Sequence, residues 1–285
     1  MKRFTFLPRV ILGLLLFATG GGISLAADTY VTNTVNGTTY TFKVTSTNTK
    51  DKTANVSLSK IGGTDLASYT ASTDINLAAA YSKGTYKSGD TLYTITSMDA
   101  MERNTTIKTV EMPSTVTLLP SYCFNGCSAL TTVSIPGIQT IGEGAFLNCS
   151  ALTGELTIPN GANIAYRAFD GCSGITSIVL HSSMTSGNWS GNGCFMSMSG
   201  VKSVSIKDDG NHTIPANVFG GASFSKDGVT LKIDNTINEI GAYAFKSANF
   251  PTTLDLSQFT SFGSHAFDGN TTITGNNGVT FAKNT

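Results

Sequence analysis

Charged side chains are scarce in this sequence, and their two signs cancel. Lys and Arg number 18, Asp and Glu also number 18, and together they make up 13% of the 285 residues. A protein that binds nucleic acid needs a basic field, and attachment to an anionic membrane surface needs a polybasic segment. The composition therefore predicts neither a nucleic-acid partner nor electrostatic attachment to a membrane.

Apolar runs long enough to cross a bilayer are absent as well. A run from Val10 to Ala18 follows a basic start, but it is shorter than the roughly 20 residues that a spanning helix needs. Small residues, Ser24 and Ala26, occupy the two positions that a signal peptidase reads. Residues 1–26 are therefore predicted to be a signal peptide. We expect a secreted or cell-surface protein whose mature chain has no membrane span.

The sequence does contain a recurring pair, in which a small residue precedes Phe. The pairs are Cys123-Phe124, Ala145-Phe146, Ala168-Phe169, Cys194-Phe195, Val218-Phe219, Ala244-Phe245 and Ala266-Phe267. Ala100-Met101 is a degenerate earlier copy, and from Met101 onward the large residues lie 22 to 26 positions apart. Such a period is typical of solenoids, in which one short unit cannot bury its own apolar face and stacks on its neighbours.

An alternating segment follows each pair and predicts a strand. Val133-Ser134-Ile135, Leu156-Thr157-Ile158 and Val204-Ser205-Ile206 are examples. Alternation with period two buries one face and leaves the other in water. Stacked in parallel, the units turn each repeat position into a column, and the Phe residues form a column on the far side of the core.

The five cysteines are assigned to packing. Cys127, Cys149 and Cys172 share one repeat position and are expected to stack about 4.8 Å apart with parallel side chains, which disfavours a disulfide. Cys-x-x-Cys does not occur, and an odd count leaves at least one thiol free. We expect buried free thiols, with a disulfide or a metal site as the alternatives.

The segment before the repeats is predicted to be a separate β structure. Tyr40–Val44 and Ala54–Leu58 alternate around a polar turn and predict a hairpin, with Leu92–Ile95 as a further strand. Residues 27–90 are expected to cap the open end of a solenoid that spans residues 91–285, since repeat arrays need capped ends to stay soluble.

The repeat resembles the BspA-type leucine-rich repeat. Residues 141–152 read Ile-Gly-Glu-Gly-Ala-Phe-Leu-Asn-Cys-Ser-Ala-Leu, and a strand ending in Ile-Pro follows. The resemblance extends over about residues 95 to 285. It implies a β-rich leucine-rich repeat solenoid with parallel strands and an N-terminal β-hairpin cap. It also implies surface exposure and adhesion to host or matrix proteins or to other cells, and it brings no catalytic residues.

The water-facing side of the predicted strands is the candidate binding face, and it should form one continuous surface. Its proposed contact residues are Glu111, Ser134, Thr157, Ser205, Lys232 and Asp255. Trp189, the single Trp, lies in a Ser-, Gly- and Asn-rich insertion and is a further candidate contact or, alternatively, a filler of the apolar column.

No constellation in the sequence identifies a chemistry. His181, His212 and His265 fall in different repeats without a shared register, and Asp208-Asp209-Gly210-Asn211 is expected to be a turn rather than a calcium loop. We expect a monomer that binds extracellular proteins or cell-surface components, with no cofactor, no metal and no catalytic residue. The alternatives are a polysaccharide-active enzyme on a parallel β-helix and a passive structural module of the cell envelope.

Overall fold

The protein consists of a mixed β-sheet followed by a stack of repeat units, each of which we call a rung, and the strands of neighbouring rungs pair in parallel. The computed structural model describes residues 29–187, 192–225, 228–248 and 256–269. The predicted signal peptide, residues 1–26, lies outside the described residues. Within the described ranges, no helix has the length and apolar character that a bilayer crossing requires.

The N-terminal region contains seven strands, a 3-10 turn at Leu66–Ser68 and one short helix. In chain order they are β1 (Tyr30–Val35), β2 (Thr38–Asn48), β3 (Thr53–Ile61), β4 (Thr64–Asp65), β5 (Asp74–Asn76), α1 (Leu77–Ala80), β6 (Thr85–Ser88) and β7 (Thr91–Met98). Six of these strands form one sheet in the order β1-β2-β3-β7-β6, with β4 paired to β3.

The predicted hairpin and the further strand are confirmed. Strands β2 and β3 pair antiparallel, and their turn is fastened by Asn48, whose Nδ2 donates to a carboxylate oxygen of Asp51 at 2.7 Å. Strand β7 pairs parallel with β3, so the sheet is mixed. The core of this sheet combines aliphatic residues such as Val56 and Leu58 with an aromatic cluster. The cluster consists of Tyr40, Phe42, Tyr81, Tyr86 and Tyr93.

The repeat region contains two series of parallel strands. The series with the longer strands, which we call the face ladder, comprises β8 (Thr109–Glu111), β10 (Thr132–Ser134), β12 (Gly154–Thr157), β14 (Ile175–His181), β16 (Ser203–Lys207) and β18 (Thr230–Ile233). The series of two-residue strands, which we call the rear ladder, comprises β9 (Leu118–Leu119), β11 (Thr140–Ile141), β13 (Asn163–Ile164), β15 (Thr185–Ser186), β17 (Thr213–Ile214), β19 (Glu239–Ile240) and β20 (Ser261–Phe262). The parallel-strand solenoid predicted from the repeat is thus confirmed.

A column of phenylalanine rings fills the core beside the rear ladder. Neighbouring rings from Phe124 to Phe267 lie 5.1 to 6.4 Å apart, and Phe146 and Phe169 are parallel to within 7°. Offset-stacked rings at this separation add about 0.5–1.5 kcal/mol per pair to the burial of their area. The small-residue–Phe pairs therefore mark the repeats because each ring packs on an equivalent ring.

The turn that carries each ring stacks through its own backbone hydrogen bonds. The N–H groups of Tyr122, Phe124 and Gly126 donate to carbonyl oxygens of the next rung at 2.7 Å each. Tyr122 and Gly126 have φ of 58° and 71°, so the ring is flanked on both sides by left-handed backbone. Rung spacing is tight here, because a Cβ on Gly142 would lie 2.4 Å from the backbone N of Ser121.

Candidate functional site

The face ladder aligns most of the predicted contact residues in register. Glu111 lies opposite Ser134, and Val179 lies between Thr157 and Ser205, which in turn lies opposite Lys232. Glu111, Ser134, Thr157 and Lys232 are exposed, and Ser205 is partly buried. The backbone therefore presents these side chains as two ordered rows on rigid strands. Asp255 and Trp189 lie outside the described residues.

The face is divided, although the repeat register predicts a continuous one. Strands β5, β8 and β10 form one sheet, and β12, β14, β16 and β18 form another. Ser134 and Thr157 therefore belong to different sheets. The expectation of a single uninterrupted surface is wrong at this point.

An insertion of one residue coincides with the division. Two residues separate the buried Leu130 from the inward-facing Val133, whereas three separate Leu152 from Leu156. The lengthened segment contains Gly154, at φ 87°. The pairing with β14 is irregular at the same place, because Gly154 lies opposite Ile175 and Glu155 opposite Ser177. Irregularities of this kind redirect a strand locally, and here β12 pairs with β14 but not with β10.

A cleft opens between β10 and β12. Its volume is about 430 Å³, and its walls are mostly apolar, with Val133, Ile141, Phe146 and Leu156 among them. Glu155 is the single charged residue among the described residues that line it. The Glu155 carboxylate accepts hydrogen bonds from the hydroxyls of Thr157 at 3.3 Å and Ser177 at 3.4 Å, and the residue is exposed to solvent.

The N-terminal region contributes its own strand to the face. Strand β5 pairs parallel with β8, and Asn76 lies opposite Glu111, to which its Nδ2 donates at 2.6 Å. Asp74 accepts hydrogen bonds from the hydroxyls of Thr109 and Thr73, which lower the pKa of its carboxyl group. Sequence reasoning missed this strand, although the alternation in Asp74-Ile75-Asn76 is a weak signal for it.

A network of carboxylates and hydroxyls lies where β14 and β16 end. The buried Ser182 hydroxyl donates to Asp208 at 2.9 Å, and the ring Nδ1 of His212 lies 2.5 Å from the same carboxyl group. The hydroxyl of Thr236 foremost, and then the backbone N–H and ring of His212, hold the pKa of Asp208 well below its usual range. The backbone N–H and the hydroxyl of Ser183 both donate hydrogen bonds to the Asp209 carboxylate. This loop is a hydrogen-bonded turn, as expected, in which protein donors occupy the carboxylates.

The cysteines stack as the repeat register predicts. The thiols of Cys127, Cys149 and Cys172 each lie within hydrogen-bonding distance of a carbonyl oxygen on the preceding rung, at 3.2, 2.9 and 3.1 Å. All five cysteines are free and buried. Burial raises the pKa of Cys127 to about 11 and that of Cys172 and Cys194 to about 12. These protonated thiols pack the core and are poor nucleophiles.

Two of the three histidines border the same network. His181 lies 4.0 Å from Asp209 and His212 lies 2.5 Å from Asp208, whereas His265 lies 2.5 Å from Asp268 and stacks on Tyr243. Across the described residues, no three His, Cys, Asp or Glu side chains are grouped so that they could hold a metal ion. In the face ladder, Glu111 lies opposite Ser134 and Asn76, and Glu155 lies opposite Ser177, so neither aligned set pairs two acids.

A comparison with protein families agrees with this architecture. A family model described as the BspA type leucine rich repeat region matches residues 94–223 and 190–280 in six copies. A search of curated proteins found no match.

Solved structures with similarity to this chain include three bacterial leucine-rich repeat proteins. A leucine rich cell surface protein from Faecalibacterium prausnitzii is 21% identical, with a TM-score of 0.45, and the match covers 88% of this chain and 56% of that one. A leucine rich repeat protein of T. pallidum is 16% identical, with a TM-score of 0.45 and coverage of 81% and 86%. A leucine-rich repeat protein from Bacteroides ovatus is 15% identical, with a TM-score of 0.31 and coverage of 81% and 90%. This chain thus spans little more than half of the Faecalibacterium protein.

Proposed function

Because the chain belongs to the BspA-type leucine-rich repeat family, we propose that it is a secreted or cell-surface protein that binds other proteins. Adhesion to host or matrix proteins, or to other cells, is the role that we assign to it. We further propose that it acts as a monomer and catalyses no reaction. In this proposal residues 27–90 cap the array, and the solenoid over residues 91–285 carries the binding surface.

The observation that carries the proposal is the ordered, solvent-facing side of the face ladder. Each of its strands pairs with at least one neighbour, so the side chains of Ser134, Thr157, Ser205 and Lys232 are held at fixed positions. Sites built on strands are more exact than sites built on loops, which reduces the entropy lost on binding. A mixed, mostly polar row of this kind suits contact with the polar rim of another protein.

The dimensions of the face indicate how a partner would bind it. The six strands of the face ladder and β5, with about 4.8 Å between neighbouring strands, make a strip roughly 30 Å long. Each strand presents only a few residues across the width of this strip. A specific protein interface buries about 800 Å² on each partner. The partner is therefore expected to contact the loops beside the strip as well as the strands.

The test is a binding screen of the secreted chain against purified extracellular matrix proteins and intact cells. Lys232→Glu reverses a charge on the face, and Lys50→Glu reverses one at the exposed hairpin turn of the cap. Binding that Lys232→Glu weakens and Lys50→Glu leaves unchanged supports the proposal. If the folded chain binds nothing in the panel, a passive structural module of the cell envelope would be favoured. If the purified chain degrades a polysaccharide, and this activity persists through purification, an enzyme would be favoured instead.

A further inference from the structure

The two strand edges at the cleft face each other without pairing. On β10, the N–H of Thr132 donates to Lys108 at 3.1 Å and the carbonyl of Ser134 accepts from Met112 at 2.9 Å, so both residues direct their backbone groups to the β8 side. Successive residues of a strand direct these groups to opposite sides. Val133 therefore turns its N–H and C=O towards the cleft.

The backbone of β12 likewise directs unpaired groups towards the cleft. The N–H of Ile158 donates to Val179 of β14 at 2.9 Å, so the residue before it, Thr157, turns its backbone groups towards β10. The described backbone contact between the two strand segments is a long hydrogen bond from Thr153 to Thr131, at 3.4 Å. An unpaired strand edge is a template for another extended chain.

The core is incompletely covered at the same place. Val133 and Leu156 point inwards on their strands but are only partly buried. Three of their register equivalents on other rungs, Val110, Ile178 and Val204, are 0 to 1% exposed, whereas Leu231, on the last strand of the face ladder, is also partly buried. The rear ladder stays intact behind the cleft, because β11 pairs with both β9 and β13. The rungs are thus joined at the rear and open at the face, where apolar surface meets solvent.

We propose that this cleft binds a short extended segment of a partner protein, which pairs with the strand edges as an added strand. The inference rests on the proposed protein-binding function and names the class of partner. Peptide groups of the segment meet those of Val133 and Thr157, and an aliphatic side chain enters between Val133 and Leu156. A basic side chain, Lys or Arg, lies against the Glu155 carboxylate.

Two features select this occupant. A polypeptide carries N–H and C=O groups at the spacing of a strand, which neither a sugar nor a lipid tail does, and strand addition obtains its affinity from such main-chain hydrogen bonds. The single charge in the lining, Glu155, is negative and exposed, so the complementary side chain is a cation. The volume of about 430 Å³ lies within the range of about 300–1,000 Å³ of ligand pockets.

The experiment selects ten-residue peptides (a phage-displayed random library) on the chain without its predicted signal peptide. Selected peptides are expected to alternate aliphatic and polar residues and to contain Lys or Arg. Glu155→Lys should raise their Kd by about tenfold or more, since it replaces attraction by repulsion at this position. Glu239→Lys is the matched control, because Glu239 is likewise an exposed strand residue that accepts a hydroxyl hydrogen bond, from Thr213, but it lies on the rear ladder and not in the lining of the cleft.

Two further variants test the strand edges directly. Deletion of Gly154 gives Leu152 and Leu156 the separation of Leu130 and Val133, so β12 should pair with β10 and binding should be lost. A selected peptide N-methylated at alternate residues should lose binding in either phase of methylation, because one set of its amides faces β10 and the other faces β12.

The outcomes separate this inference from the proposed function. The proposal of a site in the cleft is overturned if the selection yields no peptide. It is also overturned if neither Glu155→Lys nor the Gly154 deletion changes the Kd of the selected peptides. Should the deletion variant fail to fold, the exposed Glu155→Lys and the methylated peptides still decide the question. Matrix binding that depends on Lys232 while the cleft binds nothing would leave the proposed function standing without this site.

Discussion

Asn104 Nδ2 donates to the carbonyl oxygen of Tyr69 at 2.9 Å, and this contact joins the first rung to the N-terminal region. The same nitrogen donates to Leu66 at 3.0 Å, while the side-chain oxygen accepts from the N–H groups of Thr106 and Ile107. Asn104 is 3% exposed. One buried amide therefore supplies hydrogen bonds to both sides of the junction.

Asn104→Ala is expected to lower the free energy of unfolding by about 2–3 kcal/mol, because it leaves buried N–H and C=O groups without partners. Asn104→Asp keeps the acceptor for Thr106 and Ile107 but removes the donor to the cap, so we expect faster amide exchange around residues 66–69. Urea unfolding and hydrogen exchange measure the two effects. Asn163→Ala, at an exposed position, is the control, and equal effects of the two alanine substitutions would contradict the junction role.

The phenylalanine column predicts a dependence on position. Phe169 is 2% exposed and lies between two rings of the column, at 5.1 and 5.7 Å, whereas Phe267 is 7% exposed, stacks on Phe245 and also contacts Phe262 at 6.2 Å. Phe169→Ala should cost about 3–5 kcal/mol and Phe267→Ala clearly less, since the cost of truncation follows the cavity that remains. Denaturant unfolding with two probes measures both. Equal losses at the two sites would argue against a stacked column.

The thiols predict a loss of stability at alkaline pH. Burial raises the pKa of Cys127 to about 11 and that of Cys172 to about 12, while an unfolded thiol titrates near pH 8.5. The unfolded chain therefore loses protons first, so the stability is fully present below about pH 8.5 and falls as the pH rises towards these values. Urea midpoints between pH 7 and 10 measure the slope.

Two results would support the thiol assignment. Cys172→Ala should make the alkaline slope shallower, although it also lowers stability at neutral pH by removing a packed side chain. A thiol reagent should find five groups after unfolding and almost none before it, in accordance with the five buried cysteines. Fast labelling of the native chain would contradict the buried assignment.

The hydrogen bonds to Asp208 predict a loss of stability at acid pH. Its hydrogen bonds from Thr236, His212 and Ser182 lower the pKa of its carboxyl group in the folded state. The contribution is present above the unfolded value of about 3.9 and is lost as the pH falls below it towards the folded value. Asp208→Asn should therefore flatten the acid limb of a stability curve, while Asp90→Asn, at an exposed ion pair, should not. Parallel acid limbs for both variants and the wild type would refute this assignment.

The repeat architecture could be predicted from sequence because it is periodic. Each Phe, each inward strand residue and each shared Cys recurs at one position, so a single register assigns many contacts at once. The hairpin of the cap follows from local alternation in the same way. Sequence reasoning did not predict that Leu119 and Ile141 lie in a second series of strands, because two-residue strands are too short to show alternation.

The features that break the period were not predicted. Asn104 belongs to a polar stretch that favours a turn, and its partners Leu66 and Tyr69 lie more than thirty positions away. Strand β5 is only three residues long and pairs across a similar separation. The insertion at Gly154 is visible as a lengthened gap between Leu152 and Leu156, but whether it forms a harmless loop or separates two strands depends on packing.

The insertion at Gly154 also has a consequence for how such arrays can diverge. Each rung contacts only its neighbours, so β14, β16 and β18 keep their register although β10 and β12 are unpaired beside the extra residue. We therefore expect that a single added codon can create a recess, and that the same addition in another repeat would create it elsewhere along the strip. The location of a recess could then change without any change in the repeat consensus, so surfaces of different specificity can share one scaffold.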